Sequence, residues 1–144
     1  MEYSKRLPAH NTLAELCLSA TAKYNKKLAF AMLCDGKINR EISFTQFGER
    51  AKGLASLLIH LGIKKGDRIL LLSENCPEWA ITYFGITLAG AVSVPLLTGF
   101  SGEQIQYIAS HSGIAAVCTS TAMADKLKHP DFPKVPRIII NNLP

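Results

Sequence analysis

Residues 88–104 read Leu-Ala-Gly-Ala-Val-Ser-Val-Pro-Leu-Leu-Thr-Gly-Phe-Ser-Gly-Glu-Gln, and this stretch decides the fold. Gly90 can adopt the left-handed conformation that ends a helix, because it has no Cβ. The β-branched residues that follow predict a short buried strand, which Pro95 ends because proline has no N–H for the ladder. Ser101 is followed three residues later by a glutamine, the spacing of a capping box at a helix start. Helix, strand, loop and helix in succession predict one crossover unit of a parallel sheet.

The same alternation extends on both sides of this stretch. Segments with helical periodicity and apolar strand segments follow one another: helices at 43–61, 77–88, 101–112 and 122–128, and strands at 68–72, 91–94, 114–118 and 137–140. Alternation of this kind is typical of an α/β domain. The sequence therefore predicts a three-layer fold, with a mostly parallel sheet and helices on both faces.

The N-terminal part of the chain departs from this alternation. Residues 1–11 are predicted to be a polar lead-in, and Thr12 has the position of an N-cap for a helix that ends near Tyr24. Apolar runs on either side of the turn dipeptide Asp35-Gly36 predict an antiparallel hairpin over 28–42. Because Arg40 lies between two apolar residues on one face, this hairpin is expected at the edge, outside the main sheet.

Three local predictions concern particular side chains. Asn75 and Glu78 have capping-box spacing, with Pro77 in the first turn of the helix that follows. Thr121 is expected to cap the short helix over residues 122–128. That leaves Trp79, the single tryptophan, on a helix that is apolar nearly all round, which predicts a core anchor rather than a ligand contact.

Composition narrows the class of protein. The chain has 144 residues, which is enough for one domain with a sizeable core. Its net charge of +5 is scattered rather than massed, so we expect no nucleic-acid partner. Four separated cysteines predict reduced thiols, and the start of the chain lacks the apolar segment of a secretory signal. Glycines and a proline interrupt the longest apolar run, so no transmembrane segment is expected. These features predict a cytoplasmic protein, with peripheral membrane association left open.

Candidate ligand contacts lie where parallel strands end, because open α/β sheets bind ligands outside the carboxyl ends of their strands. Those ends are Ser73–Asn75, Pro95–Gly99 and Thr119–Thr121. Of these, Thr98, Gly99 and Phe100 are the candidates to face a substrate; the alternative that this loop only turns the chain stays open. The histidines have no partner at metal-ligand spacing, and no catalytic triad or dinucleotide-binding glycine motif is present. We therefore assign no catalytic, cofactor-binding or metal-binding residue.

Five segments resemble, in the same order, segments of one known family. Residues 42–47 (Ile-Ser-Phe-Thr-Gln-Phe) are similar to its Leu-Thr-Tyr-x-Glu-Leu, and residues 61–69 (Leu-Gly-Ile-Lys-Lys-Gly-Asp-Arg-Ile) to its Leu-Gly-Val-x-x-Gly-Asp-x-Val. Residues 73–79 (Ser-Glu-Asn-Cys-Pro-Glu-Trp) contain its Asn-x-x-Glu-(Trp/Tyr) helix start. Residues 88–96 are similar to Lys-Ala-Gly-x-x-x-Val-Pro-Leu, with leucine where lysine is common, and 104–113 fit the next helix. The family is that of adenylate-forming enzymes, which includes acyl-CoA synthetases, acyl-adenylating synthetase modules and luciferases.

This resemblance implies that residues 12–144 are the N-terminal α/β subdomain of an AMP-forming acyl-CoA synthetase. Such an enzyme uses ATP and Mg²⁺ to join a carboxylic acid to AMP, and then transfers the acyl group to CoA. Within this resemblance, the sequence of residues 92–96 and of the following helix favours a long-chain fatty acid as the substrate. The family's phosphate-binding loop, rich in Ser, Thr and Gly and ending in Pro-Lys-Gly, does not occur in the sequence. The chain is therefore expected to be a fragment, natural or expressed, that is an inactive scaffold by itself.

The partners expected from the resemblance are the remaining C-terminal part of the same enzyme and a small carboxylic acid. Homodimerisation is left open. Two other functions also stay open: a stand-alone nucleotide-binding α/β module, and a non-catalytic interaction domain. Binding of ATP or NAD by this chain alone would favour the first, and a large exposed apolar patch with dimerisation would favour the second.

Overall fold

The computed structural model describes residues 10–142, and all of the predicted lead-in except residues 10 and 11 lies outside this range. The elements in chain order are α1 (Leu13–Tyr24), β1 (Leu28–Cys34), β2 (Lys37–Ser43), α2 (Phe44–His60), β3 (Arg68–Leu72), α3 (Pro77–Leu88), β4 (Val92–Pro95), α4 (Gly102–Ser112), β5 (Ala116–Thr119), a 3₁₀ helix (Thr121–Leu127), β6 (Arg137–Ile139) and a 3₁₀ turn (Ile140–Asn142). None of the helices between residues 10 and 142 is both long and apolar enough to cross a membrane.

Side-chain caps determine where several of these helices begin. The Thr12 hydroxyl accepts a hydrogen bond from the Glu15 amide at 3.1 Å at the start of α1. Ser43 begins α2 with a complete capping box. Its hydroxyl accepts a hydrogen bond from the Gln46 amide, and its own amide donates to the side-chain oxygen of Gln46. Ser101 does the same at α4, and Gly113 ends that helix with φ +58°. These predicted helix boundaries are confirmed.

The main sheet has four strands in the order β4-β3-β5-β6, and every neighbouring pair is parallel. Leu70 in the central strand β3 pairs with Val94 on one side and Val117 on the other. β1 and β2 form a separate antiparallel hairpin. The predicted α/β architecture, with a parallel sheet and a hairpin outside it, is confirmed.

Alternate residues of the central strands face two different helical layers. On one face Ile69, Leu71 and Cys118 are packed with Leu58 of α2 and Ile86 of α3. On the other face Leu70, Leu72 and Val117 are packed with Ile105 and Ala109 of α4 and Leu127 of the 3₁₀ helix. Because β3 is covered on both faces, Ile69–Leu72 are completely buried, as an apolar parallel strand must be.

A third cluster joins the hairpin to the helical layer. Phe47 of α2 is in edge contact with Phe30 of the hairpin and Phe84 of α3, at centroid separations of 5.4 and 5.5 Å. Cys17 of α1 and Ile42 are buried in the same cluster. The hairpin is therefore packed against α2 and α3 rather than hydrogen-bonded to the sheet.

The structure corrects the prediction that residues 91–94 form a buried strand. The observed strand is Val92–Pro95, it forms one edge of the sheet, and Val92 is 49% exposed. The β-branched run is typical of a buried strand, but only strand order decides whether a strand has one neighbour or two.

Two cap predictions are also wrong. Cys76, not Asn75, is the N-cap of α3, and no side chain caps this helix end. Pro77 is the first helical residue, and a residue before proline is forced into the extended conformation, so the N-cap falls at Cys76. In the 3₁₀ helix the N-cap is Ser120 rather than Thr121, and its hydroxyl accepts from the Met123 amide at 3.3 Å. Thr121 already lies within the helix, because β5 ends only two residues earlier.

Candidate functional site

The strand order places a crevice at the carboxyl ends of β3 and β5. From β3 the chain passes to β4 on one side of the sheet, and from β4 it returns past β3 to β5 on the other side. Ligands of open α/β sheets bind where connections diverge in this way. The residues that follow these strands are therefore the first candidates for a site.

A cleft of about 420 Å³ lies at this edge, and we call it the strand-end cleft. It is lined by Ser73, Glu74 and Asn75 after β3, by Trp79 of α3, and by Pro95–Thr98 after β4. Two of the three strand ends predicted from sequence therefore converge on one cleft. The third contributes through Ser120, whose hydroxyl is hydrogen-bonded to the carboxylate of Glu74.

Glu74 is the ionisable group of the strand-end cleft. The hydrogen bond from Ser120 is the main reason that the pKa of this carboxyl is lowered, and a bond to its own backbone adds to it. The Ser73 hydroxyl lies 3.3 Å from the same carboxylate oxygen, Oε2. These hydroxyls stabilise the ionised form, so the cleft carries a fixed negative charge at neutral pH.

Trp79 forms an aromatic part of the cleft wall. Its ring stacks on that of Tyr83 with a centroid separation of 5.4 Å and an interplanar angle of 9°. The side chain is packed against the core but is only partly buried. The prediction of a core anchor is therefore correct only in part, since Trp79 packs against the core but also lines the cleft.

A second cleft of about 410 Å³ lies between the sheet edge and the hairpin, and we call it the hairpin cleft. Its lining combines residues of the hairpin with the start of α3 and the end of the described chain: Met32, Asn39, Arg40, Glu74–Cys76, Glu78 and Asn141. Glu74 and Asn75 line both clefts, so the two adjoin at the end of β3.

Glu78 holds the hairpin against α3 beside this second cleft. Its carboxylate is almost completely buried, and Oε2 lies 2.6 Å from Nη2 of Arg40 while Oε1 lies 3.4 Å from Nη1 of Arg50. Burial raises the pKa of Glu78, but the hydrogen bond and charge of Arg40, with the charge of Arg50, outweigh it and lower the pKa overall. The carboxylate is therefore ionised, and its two arginine contacts are structural.

The predicted substrate-facing residues Thr98, Gly99 and Phe100 occupy different surroundings. Thr98 lines the strand-end cleft. A Cβ on Gly99 would meet no atom within 4 Å, so this glycine makes no close approach to another part of the fold. Phe100 is packed against the core between the sheet and α4. Of the three, Thr98 is the one that lines either of these two clefts, and the role of all three stays a prediction.

The side chains of the two clefts do not fit the triphosphate of ATP, which the resemblance implies as a substrate. No lysine or arginine is among the residues that line the strand-end cleft, and Glu74 would repel phosphate. Arg40 of the hairpin cleft is paired with Glu78. Within residues 10–142, no three His, Cys, Asp or Glu side chains are grouped so that they could hold a metal ion.

Sequence reasoning missed several of the contacts that shape this region. The bonds from Ser120 to Glu74 and from Arg40 to Glu78 join residues 46 and 38 positions apart, and no local spacing reveals them. The position of Arg40 between Ile38 and Ile42 on one strand face was only a weak signal, because Ile42 is buried whereas Ile38 is 55% exposed.

The family model and the curated relatives that the chain matches agree on one family of proteins. Residues 18–142 match the sequence model of the family described as AMP-binding enzyme. A crotonobetaine/carnitine–CoA ligase of Salmonella typhi is 37% identical over 87 residues, which cover 60% of this chain and 17% of that protein. The chain thus spans only a small part of the curated relatives that it matches.

Solved structures have the same fold. A fatty acyl-adenylate ligase from L. pneumophila, solved with acyl adenylate and pyrophosphate, has a TM-score of 0.79 at 23% identity and covers 92% of this chain and 24% of its own. Holo-AB3403, a four-domain nonribosomal peptide synthetase bound to AMP and glycine, has a TM-score of 0.76 at 27% identity. That match covers 94% of this chain and 9% of the synthetase.

Proposed function

The chain belongs to the AMP-binding enzyme family, and from that premise we propose that it is the N-terminal part of an ATP-dependent acyl-CoA synthetase. The complete enzyme would activate a carboxylic acid as its acyl adenylate, in a reaction that requires Mg²⁺, and would pass the acyl group to CoA. The residues described here would form a scaffold and one wall of the active site. We also place the enzyme in the cytoplasm.

The observation that carries this proposal is the family match over residues 18–142. It is supported by the curated relative, whose name describes an acid–CoA ligase. The geometry is consistent with this role, since no lysine or arginine lines the strand-end cleft and Arg40 of the hairpin cleft is paired with Glu78. Phosphate binding would therefore belong to a part of the enzyme outside this chain, together with the loop that the sequence lacks.

The acid that we favour is a long-chain fatty acid. Thr98, Gly99 and Phe100 would face it, since the loop that contains them follows an edge strand and Thr98 reaches the strand-end cleft. Leu97 next to them is 69% exposed, and its side chain could contact an acyl chain.

A second candidate is a short acid that carries a quaternary ammonium group. It is supported by the curated relative named for crotonobetaine and carnitine, which is 37% identical over 87 residues, whereas the fatty acyl-adenylate ligase, at 23%, is a likeness of fold alone. An aromatic ring and an ionised carboxylate, such as Trp79 and Glu74, are the groups that recognise such cations.

The test is acid-dependent exchange of pyrophosphate into ATP by the complete enzyme, with a long-chain fatty acid and with carnitine measured in parallel. Exchange with the fatty acid alone supports the first candidate, and exchange with carnitine alone supports the second. No exchange with any carboxylic acid would contradict the proposed activity. The 144-residue chain by itself is the matched control, and robust exchange by it would overturn the scaffold role.

A further inference from the structure

The loop between β4 and α4 forms one wall of the strand-end cleft, yet little side-chain packing holds its tip. Leu97 is 69% exposed, Thr98 is exposed, and a Cβ at Gly99 would meet no atom within 4 Å. Within the loop, the Phe100 amide donates to the Leu97 carbonyl at 3.2 Å. A wall of this kind needs a contact from elsewhere if it is to keep one position.

Lys126 supplies that contact from the 3₁₀ helix. Its ammonium group donates to the carbonyl of Phe100 at 2.9 Å and also to the carbonyl of Thr98. One charged donor thus bridges two carbonyls two residues apart, which fixes the curvature of the loop between them. Hydrogen bonds of a charged donor are the stronger class, and Lys126 is partly buried, so solvent competes less for its ammonium.

The 3₁₀ helix that bears Lys126 is itself anchored beside the cleft. At its start the Ser120 hydroxyl is bonded to Glu74, and the Thr121 amide donates to Oδ1 of Asn141 at 3.0 Å. At its end Leu127 is buried in the core beneath α4. The same short helix therefore holds both the Glu74 side and the Thr98 side of the strand-end cleft.

We propose that Lys126 is a positioning residue of the strand-end cleft, which fixes the loop over residues 97–100 so that the cleft can hold the carboxylic acid of the proposed reaction. The identity of that ligand rests on the proposed function, whereas the bracing of the loop does not. Both of these Lys126 contacts are to backbone carbonyls of the loop, outside the buried core. Loss of the ammonium should therefore free the wall without unfolding the domain.

The first experiment uses Trp79, the only tryptophan of the 144-residue chain, as a reporter within the same cleft. We expect Lys126→Met to make Trp79 more accessible to acrylamide quenching, and Lys126→Arg, which keeps a charged donor, to restore the original quenching. Lys128→Met is the matched control, because that lysine lies two residues further along the chain and pairs with Asp125 at the surface, at 2.7 Å. Unchanged quenching in a folded Lys126→Met chain would overturn the proposal.

If Lys126→Met does not fold, Lys126→Gln replaces it, since an amide keeps a neutral donor of similar length. The same change in quenching, smaller in size, is then expected, and its absence is equally decisive against the bracing role.

The second experiment measures acid-dependent pyrophosphate exchange by the complete enzyme. Lys126→Met should raise the KM for the acid about tenfold, the equivalent of one hydrogen bond from a charged donor, with kcat little changed. An unchanged KM for the acid would overturn the link to substrate. If the unsubstituted enzyme activates no acid, the proposed function fails, while the quenching of Trp79 still decides the role of Lys126.

Discussion

Two glycines of the helical layer should respond in opposite directions to the same substitution. At Gly85 of α3 an added Cβ would lie 2.8 Å from Cδ2 and 3.0 Å from Cβ of Leu54, and 3.1 Å from the backbone oxygen of Ala51. Leu54 is 2% exposed, so neither it nor the α2 backbone can retreat without moving the helix. Overpacking of this kind costs about 3 kcal/mol at the upper end of its range. Alanine regains about 1 kcal/mol of helix propensity over glycine. Gly85→Ala should therefore lower the free energy of unfolding by about 2 kcal/mol.

Gly53 of α2 is the matched control, because it is exposed and a Cβ there would meet nothing within 4 Å. Only the propensity gain remains, so Gly53→Ala should stabilise by about 1 kcal/mol. In thermal unfolding of the 144-residue chain, followed by Trp79 fluorescence, the Tm should fall by about 6 °C for Gly85→Ala and rise by about 3 °C for Gly53→Ala. A Gly85→Ala chain as stable as the unsubstituted one would refute the close approach of α2 and α3.

Three further outcomes are expected. Glu78→Gln should destabilise the chain by about 2 kcal/mol at pH 7 in urea unfolding, because it leaves two arginine contacts without a charge, whereas the same change at exposed Glu41 should have little effect. The pKa of Glu78 is lowered in the folded chain, so the loss of unfolding free energy caused by Glu78→Gln should be present above the unfolded pKa of about 4.3 and vanish as pH falls through the folded value. A loss that grows in acid would contradict the ion network. A thiol reagent at pH 8 should modify exposed Cys34 in the native chain but not Cys118, where burial raises the pKa to about 12, and equal rates would show that the sheet opens readily. Ser101→Ala should cost about 1 kcal/mol in the same urea assay through loss of the α4 cap, and no loss would mean that α4 begins elsewhere.

Helix ends and strand positions could be read from the sequence wherever neighbours within one turn decide them. Thr12, Ser43 and Ser101 cap the helices that their spacing predicts. The same logic failed at Asn75, where the backbone restriction imposed by Pro77 outweighs the capping preference of the side chain. The candidate site was predictable to the same extent, since two strand ends named from sequence line one cleft.

By itself, then, the sequence determined the alternating order of helices and strands and the strand ends that come together at one cleft. Those features follow from propensity, caps and apolar periodicity, all of which act between residues a few positions apart. Only the tertiary structure decided that β4 is an edge strand, that Glu78 pairs with Arg40, and that Lys126 reaches the loop at Thr98. The two side-chain contacts join residues 38 and 28 positions apart, and their partners are selected by how the layers pack, which no local pattern encodes.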